Sequence, residues 1–182
     1  EIKVKHFEDS LSVLSYIKKG DKVLDIGAGA GFPGIPLRIE KEFDLTLIDS
    51  VNKKVKFMNE VIKKLELINA RAIHTRAEDF AIENRESYDV VVSRAVANMA
   101  TLSELCIPFL KPGGIFIALK GPKADEELEA AQNAIKILGG QVKEIDRFTI
   151  DENERVNIVV EKVHSTKKIY PRGKNQPKKN PL

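Results

Sequence analysis

Asp25-Ile26-Gly27-Ala28-Gly29-Ala30-Gly31-Phe32-Pro33-Gly34 is the stretch on which the reading of this chain turns. It follows the apolar pair Val23-Leu24, expected as a buried strand, and leads into a segment where Pro33 can open a helix, because its missing N–H would have had no intrahelical partner. The local reading is strand, glycine turn, helix. Glycine at 27 and 29 lets backbone approach a ligand closely, and the helix start offers it free N–H groups. A dinucleotide fingerprint, G-x-G-x-x-G, does not fit. Counted from Gly27 its third glycine falls on Phe32; counted from Gly29 it leaves Gly27 unexplained and sets Pro33 beside the pyrophosphate.

What remains, acid-x-G-x-G-x-G, resembles the first motif of the S-adenosylmethionine-dependent methyltransferases. A second acid supports adenosine binding: Asp49 ends the run Leu45-Thr46-Leu47-Ile48, one βαβ step later, where a carboxylate can accept both ribose hydroxyls. Dehydrogenases share that device, so Asp49 does not choose between cofactors.

Length and composition set the bounds. A chain of 182 residues with 42% hydrophobic and 31% charged residues describes one soluble globular domain with a full core. No apolar stretch approaches the roughly 20 residues needed to span a bilayer, and no signal peptide is visible, so no membrane partner is expected. The single Cys106 has no internal disulfide partner, which favours a reducing, cytoplasmic setting. The chain begins at Glu1 rather than Met, so a preceding segment is expected. The net charge of +3 hides an asymmetry: seven of the 30 basic residues and none of the 27 acidic ones lie in 162–182, leaving 23 basic against 27 acidic in the body. A polyanion is the partner such a tail suits; a solvated, disordered terminus is the bland alternative.

Along the chain, Val4, Phe7, Leu11, Leu14 and Ile17 predict an amphipathic helix over 3–18, with His6, Asp9 and Ser10 on its polar side. Strands are expected before Asp25, at 43–49, at 71–75, at Tyr88–Ser93 and at 115–119. Ser50 is the expected cap of a helix striped by Val51, Val55, Met58, Ile62 and Leu65, and Asn98 of a helix running to about Leu110. A helix at 123–138 stops at Gly139-Gly140, and two strand-like runs, 141–150 and 155–163, follow without a helix between them. The expectation is an α/β chain with a class I methyltransferase, Rossmann-like fold: a mostly parallel seven-stranded sheet with a C-terminal antiparallel hairpin and helices on both faces. Residues 1–163 form the domain and 164–182 a basic tail.

Ligands of such sheets sit beyond the carboxyl ends of the strands. That edge collects Gly27 to Phe32, Asp49, Ala77-Glu78, Ser93-Arg94 and Lys120-Gly121. Ala77-Glu78 would pass the adenine and Phe32 would supply apolar contact. Arg94 has three open roles: ordering its loop, meeting the cofactor's carboxylate, or touching substrate. The loop Ser93-Arg94-Ala95-Val96 lacks the Asn/Asp-Pro-Pro-aromatic signature for an exocyclic amine and any Pro-Cys nucleophile, and Cys106 falls on an apolar helix stretch as a core residue. With neither device, the better acceptor is an atom carrying a free lone pair, such as guanine N7, and no general base is required. No catalytic residue is named.

The combination of His6-Phe7-Glu8-Asp9-Ser10, the glycine stretch, Leu47-Ile48-Asp49-Ser50 with Lys53-Lys54, Arg76-Ala77-Glu78, Ser93-Arg94-Ala95, Ala118-Leu119-Lys120-Gly121 and the terminal Tyr170-Pro171-Arg172 resembles the glucose-inhibited division protein B family. Its members are bacterial 16S ribosomal RNA methyltransferases acting on N7 of one guanine. The resemblance implies S-adenosyl-L-methionine as cofactor, held by Gly27, Gly29, Gly31, Phe32, Asp49, Ala77, Glu78 and Arg94. It implies 16S rRNA or the small-subunit particle as partner, contacted by Lys53, Lys54, Arg172 and Lys174, and it sets His6, Asp9, Ser10 and Lys120 at the substrate cleft as candidates; no metal and a monomeric state are expected. The competing readings are a methyltransferase of this fold acting on another RNA position or a small molecule, and a non-catalytic factor of ribosome assembly.

Overall fold

A computed structural model of the chain describes residues 2–94 and 97–182. Ala95 and Val96, part of the loop singled out above, lie outside the described residues. Seven strands form one sheet: β1 (Lys22–Ile26), β2 (Asp44–Asp49), β3 (Ala70–His74), β4 (Tyr88–Ser93), β5 (Leu110–Lys120), β6 (Gly140–Ile150) and β7 (Asn153–Lys162), in the order β3-β2-β1-β4-β5-β7-β6. The first five run parallel, while β7 is antiparallel to both β5 and β6. The hairpin is therefore not simply appended: its second strand inserts between β5 and its first.

Helices α1 (Ile2–Leu11), α2 (Gly34–Glu40), α3 (Asn52–Lys64), α4 (Ala77–Asn84), α5 (Met99–Cys106), α6 (Ala124–Ile137) and the short α7 (Gln176–Lys179) complete the chain. The period-two alternation of strand side chains separates two cores. Leu24, Val91, Phe116 and Ile158 pack with α4, α5 and α6 on one face, and Val23, Leu47, Val90, Val92 and Val159 with α2 and α3 on the other. Such two-sided burial explains why β4 reads as a continuous β-branched run. At the β3 edge, Asn59 of α3 stands in for a neighbouring strand, accepting from the Ala72 N–H and donating to its carbonyl, each at 3.0 Å.

Several boundaries differ from expectation. The first helix ends at Leu11, where the Ser12 hydroxyl turns back to the Asp9 carbonyl (2.6 Å), and a single 3-10 turn at Leu14–Tyr16 follows. Its burial departs from the expected stripe in part: Val4 and Phe7 are exposed and Asp9 and Ser10 are buried, while Leu11, Leu14 and Ile17 pack on the core and His6 is exposed as expected. Ser50 does not cap α3; Asp49 accepts the Val51 N–H (2.9 Å), and the helix begins at Asn52. Asn98 does cap α5, accepting from Thr101 N, but that helix ends at Cys106 in a 3-10 turn, Ile107–Phe109. The basic tail is folded rather than loose. Arg85 donates to the carbonyls of Tyr170, Thr166 and Lys167, the Thr166 hydroxyl reaches the Leu138 carbonyl, and Lys162, fully buried inside β7, pairs with Glu86 at 2.9 Å.

Candidate functional site

From β1 the chain winds outward through β2 to β3 on one side and from β4 to β5 on the other, so the loops leaving the carboxyl ends of the parallel strands β1 and β4 diverge and open a crevice, the usual binding place of an open α/β sheet. Ser93 stitches that point, its hydroxyl donating to the Ile26 carbonyl at 2.9 Å. Two clefts open along that edge of the sheet.

The first, about 350 Å³, is lined by Gly27, Asp49, Arg76, Ala77 and Glu78 from β1, β2 and the start of α4, and by Thr101 and Leu105 of α5. Gly27, Gly29 and Gly31 have φ of 69°, 60° and 99°. Their reasons differ. A Cβ on Gly31 would lie 2.4 Å from Ile35, a packing constraint, whereas one on Gly29 would meet nothing closer than 4.0 Å, so there the backbone conformation and open access to the main chain are what glycine supplies. Asp49 accepts Gly29 N–H on one oxygen (3.0 Å) and Val51 N–H on the other (2.9 Å). Each oxygen keeps a lone pair for a vicinal diol. The carboxylate is fixed before any ligand arrives.

Beneath the loop, Asp25 is fully buried. One oxygen accepts the Gly34 N–H at 2.8 Å and the other has no partner. Burial pushes its carboxyl up to about 8, against the opposing pull of that N–H and of Arg94. Gly34 is required there, since a Cβ would lie 2.8 Å from the same oxygen.

The second cleft, about 290 Å³, is lined by His6 and Asp9 of α1, Arg94, Leu119, Lys120, Gly121 and Arg155. Asp9 faces two guanidinium groups, Arg94 at 3.5 Å and Arg155 at 3.8 Å. Two of these lining residues meet the Phe32 ring, Arg94 over it at 5.3 Å and His6 at 5.6 Å, and Phe7 packs edge-on against it at 5.5 Å. This is an aromatic and cationic pocket beside the adenosine-sized one.

Sequence reasoning placed Gly27, Asp49, Ala77 and Glu78 together, and the first cleft contains them. Arg94 lines the second cleft, with its guanidinium over the Phe32 ring. Ser10 does not open to the cleft: it is buried, and its hydroxyl donates to the His6 carbonyl at 2.6 Å. Lys120 contributes to the cleft wall, but its ammonium is spent on Glu127 (2.6 Å) and the Ala97 carbonyl (2.8 Å). Arg172 corrects the expectation of a phosphate contact most clearly. Its Nε and Nη2 donate to the buried Glu104 carboxylate at 2.9 and 2.7 Å, and its N–H adds a third bond at 2.8 Å. Lys53, Lys54 and Lys174 are exposed. Cys106 is buried, and burial raises its thiol well above the ordinary range, the opposite of an activated nucleophile. Arg155 was missed, having no motif around it, and so were Asn175, Pro177 and Lys178, which come from the tail to line the first cleft. Among the described residues, no group of three or more His, Cys, Asp and Glu side chains is placed to hold a metal ion, and no helix is long and apolar enough to cross a membrane.

The family model described as rRNA small subunit methyltransferase G (GidB) matches residues 1–158. The chain belongs to this family. A ribosomal RNA small subunit methyltransferase G from Clostridium botulinum (strain ATCC 19397 / Type A) is 48% identical over 189 residues, covering 100% of this chain and 79% of its own length. One of the same name from Lachnoclostridium phytofermentans is 50% identical, covering 100% and 78%. Among solved structures, a putative methyltransferase from Haloferax volcanii, complexed with the Trm112 methyltransferase activator, matches with a TM-score of 0.69 at 18% identity, over 90% of this chain and 92% of that one. At that identity the likeness speaks for the fold alone, and the fold is that of the class I methyltransferases. In this member of the methyltransferase G family the glycine loop and the second-strand acid fall at the carboxyl edge of the sheet.

Proposed function

We propose that this chain transfers a methyl group from S-adenosylmethionine to N7 of a guanine in 16S ribosomal RNA. The observation that carries the reading is membership of the methyltransferase G family across residues 1–158. The site's chemistry supports it. Asp49, held by two N–H groups, suits the ribose diol; Ala77 and Glu78 flank the space an adenine would fill; the open backbone at Gly29 leaves room for the cofactor chain. When bound, that cofactor supplies an electrophilic methyl on a sulfonium.

The chain's own task is alignment. Guanine N7 carries a lone pair and no proton, so transfer in line needs position rather than a base. Phe32 with His6 offers a stacking surface for a purine, and Arg94 and Arg155 offer positive charge for its O6 edge or a neighbouring phosphate. Lys53 and Lys54 sit in the first turn of α3, where the helix dipole disfavours cations. An incoming phosphate backbone gives those charges a partner, and the exposed Lys174, Lys178 and Lys179 extend the same surface.

The test is transfer of labelled methyl to small-subunit RNA and particles lacking their native methylation, with the product nucleoside identified by mass. Label in 7-methylguanosine is the expected result. Cofactor binding without transfer to either substrate would turn the reading to a non-catalytic assembly factor.

A further inference from the structure

Part of the lining of the first cleft comes from the C-terminal segment, which neither the glycine motif nor the family match over 1–158 includes. Three of its residues, Asn175, Pro177 and Lys178, line the cleft. Pro177 is buried and its carbonyl accepts the Thr101 hydroxyl at 2.9 Å, so the segment is pinned to α5 at the cleft floor. Lys174 and Asn175 both adopt left-handed backbone, with φ of 54° and 61°, and this turn brings the Asn175 carboxamide to Arg76 at 3.2 Å. The same guanidinium group lies 3.4 Å from Glu78, the carboxylate at the adenine end.

We propose that residues 173–180 form a strap that completes the adenosine pocket, and that seating of the strap and cofactor binding reinforce one another. The inference rests on the reading of this cleft as the cofactor site. Two parts of the strap divide the labour. Arg172 latches it: lifting that residue would strand the Glu104 carboxylate, fully buried, without its cation, which is strongly unfavourable. Beyond the latch the segment is held at separate points, by Thr101 on the Pro177 carbonyl, by Arg172 Nη2 on the Asn180 carbonyl (2.7 Å) and by Leu182 against the core, while most of its side chains are exposed and its one helix has four residues, so the turn between these points can respond to what fills the cleft. An adenosine against Pro177 and Asn175 adds contacts that exist only when the strap is down. By linkage, whatever lifts the strap weakens the cofactor by the same factor.

The experiment measures calorimetric binding of S-adenosylhomocysteine and of 5′-methylthioadenosine, which lacks the amino-acid part, to three chains: intact, ending at Gly173, and Asn175→Gly. Glycine at 175 keeps the left-handed turn and removes only the carboxamide. Expected is a loss of about tenfold for both ligands in the shortened chain, within the usual range for coupled sites, and a smaller loss for Asn175→Gly with its ligand-free melting temperature unchanged. In the intact chain, S-adenosylhomocysteine should slow tryptic cleavage after Lys174, Lys178 and Lys179 relative to cleavage at Lys18 and Lys19, which lie far from the cleft. Equal affinities and unchanged protection would overturn the strap. If the shortened chain does not fold, Asn175→Gly and the cleavage ratio decide. Failure of the intact chain to bind either ligand would instead overturn the cofactor reading, and the strap's role with it.

Discussion

Asp25 holds the glycine loop from below with one oxygen while the other finds no partner, and burial keeps its carboxyl protonated up to about 8. The folded state therefore keeps a proton that the unfolded chain releases from its ordinary value of 3.8 upward, so stability from this group is full below about 4 and is lost as pH rises toward about 8. Asn at this position preserves an acceptor for Gly34 and does not titrate. Urea midpoints at pH 5 and pH 8 should converge for Asp25→Asn relative to the parent, by roughly 1–3 kcal/mol at 1.4 kcal/mol per unit, discounted for relaxation; parallel pH slopes would remove Asp25 as the cause. Arg155 makes a prediction of the opposite kind. Replacing it with Gln should lower kcat/KM on RNA about tenfold and flatten the salt dependence of RNA binding by about one unit of log–log slope, with S-adenosylhomocysteine affinity unchanged. Gly27, Asp49, Ala77 and Glu78 were legible because each is fixed by its own neighbours in sequence. Arg155, Asn175 and Pro177 were not: only the order of strands and the path of the tail bring them to the edge.

At the scale of elements, α5 joins cleft, core and strap. Its cap, Asn98, accepts from the backbone of Thr101, whose side chain in turn donates to Pro177. Asn98→Ala should cost about 1 kcal/mol in chemical denaturation, the usual loss for such a cap; no change would mean the first turn of α5 is held by its buried residues alone. Helix α1 marks where periodicity misleads. Asp9 turns inward because Arg94, just after β4, and Arg155 of β7 meet it, and beyond the helix end Asn157 donates to Ser12 at 3.0 Å. Such partners lie some 85 to 145 residues away in sequence, beyond the reach of any local pattern. Apolar spacing does report burial where the partner is a plain sheet face, as for Val55, Met58 and Ile62 of α3. The Ser50 cap failed for a local reason: Asp49 is already positioned to take the first free N–H.

For the whole molecule, the seam between the tail and the body depends on Glu86, which accepts from Lys162 and from the Thr166 N–H at 3.1 Å. Burial works to raise its carboxyl, but Lys162 and that N–H outweigh it and hold it below its ordinary 4.5. Its contribution is thus present above about 4.5 and is lost as pH falls through the lowered value. Protection factors for hydrogen exchange at 164–170, taken relative to the intrinsic rate at each pH, should fall below pH 4.5 in the parent and show little of that dependence in Glu86→Gln; acid-insensitive protection in the parent would assign the seam to Arg85 instead.

The insertion of β7 between β5 and β6 also has a history written into it, because the last strand made is an interior one. As the nascent chain leaves the exit tunnel, β5 has one side unclaimed and β6 has no neighbour at all until Lys162 has emerged. Assembly of the sheet is therefore a late event of synthesis. A ribosome stalled before Asn153 carries a polypeptide whose unpaired β5 invites strand exchange with another copy, and chaperone occupancy should fall steeply once β7 is released.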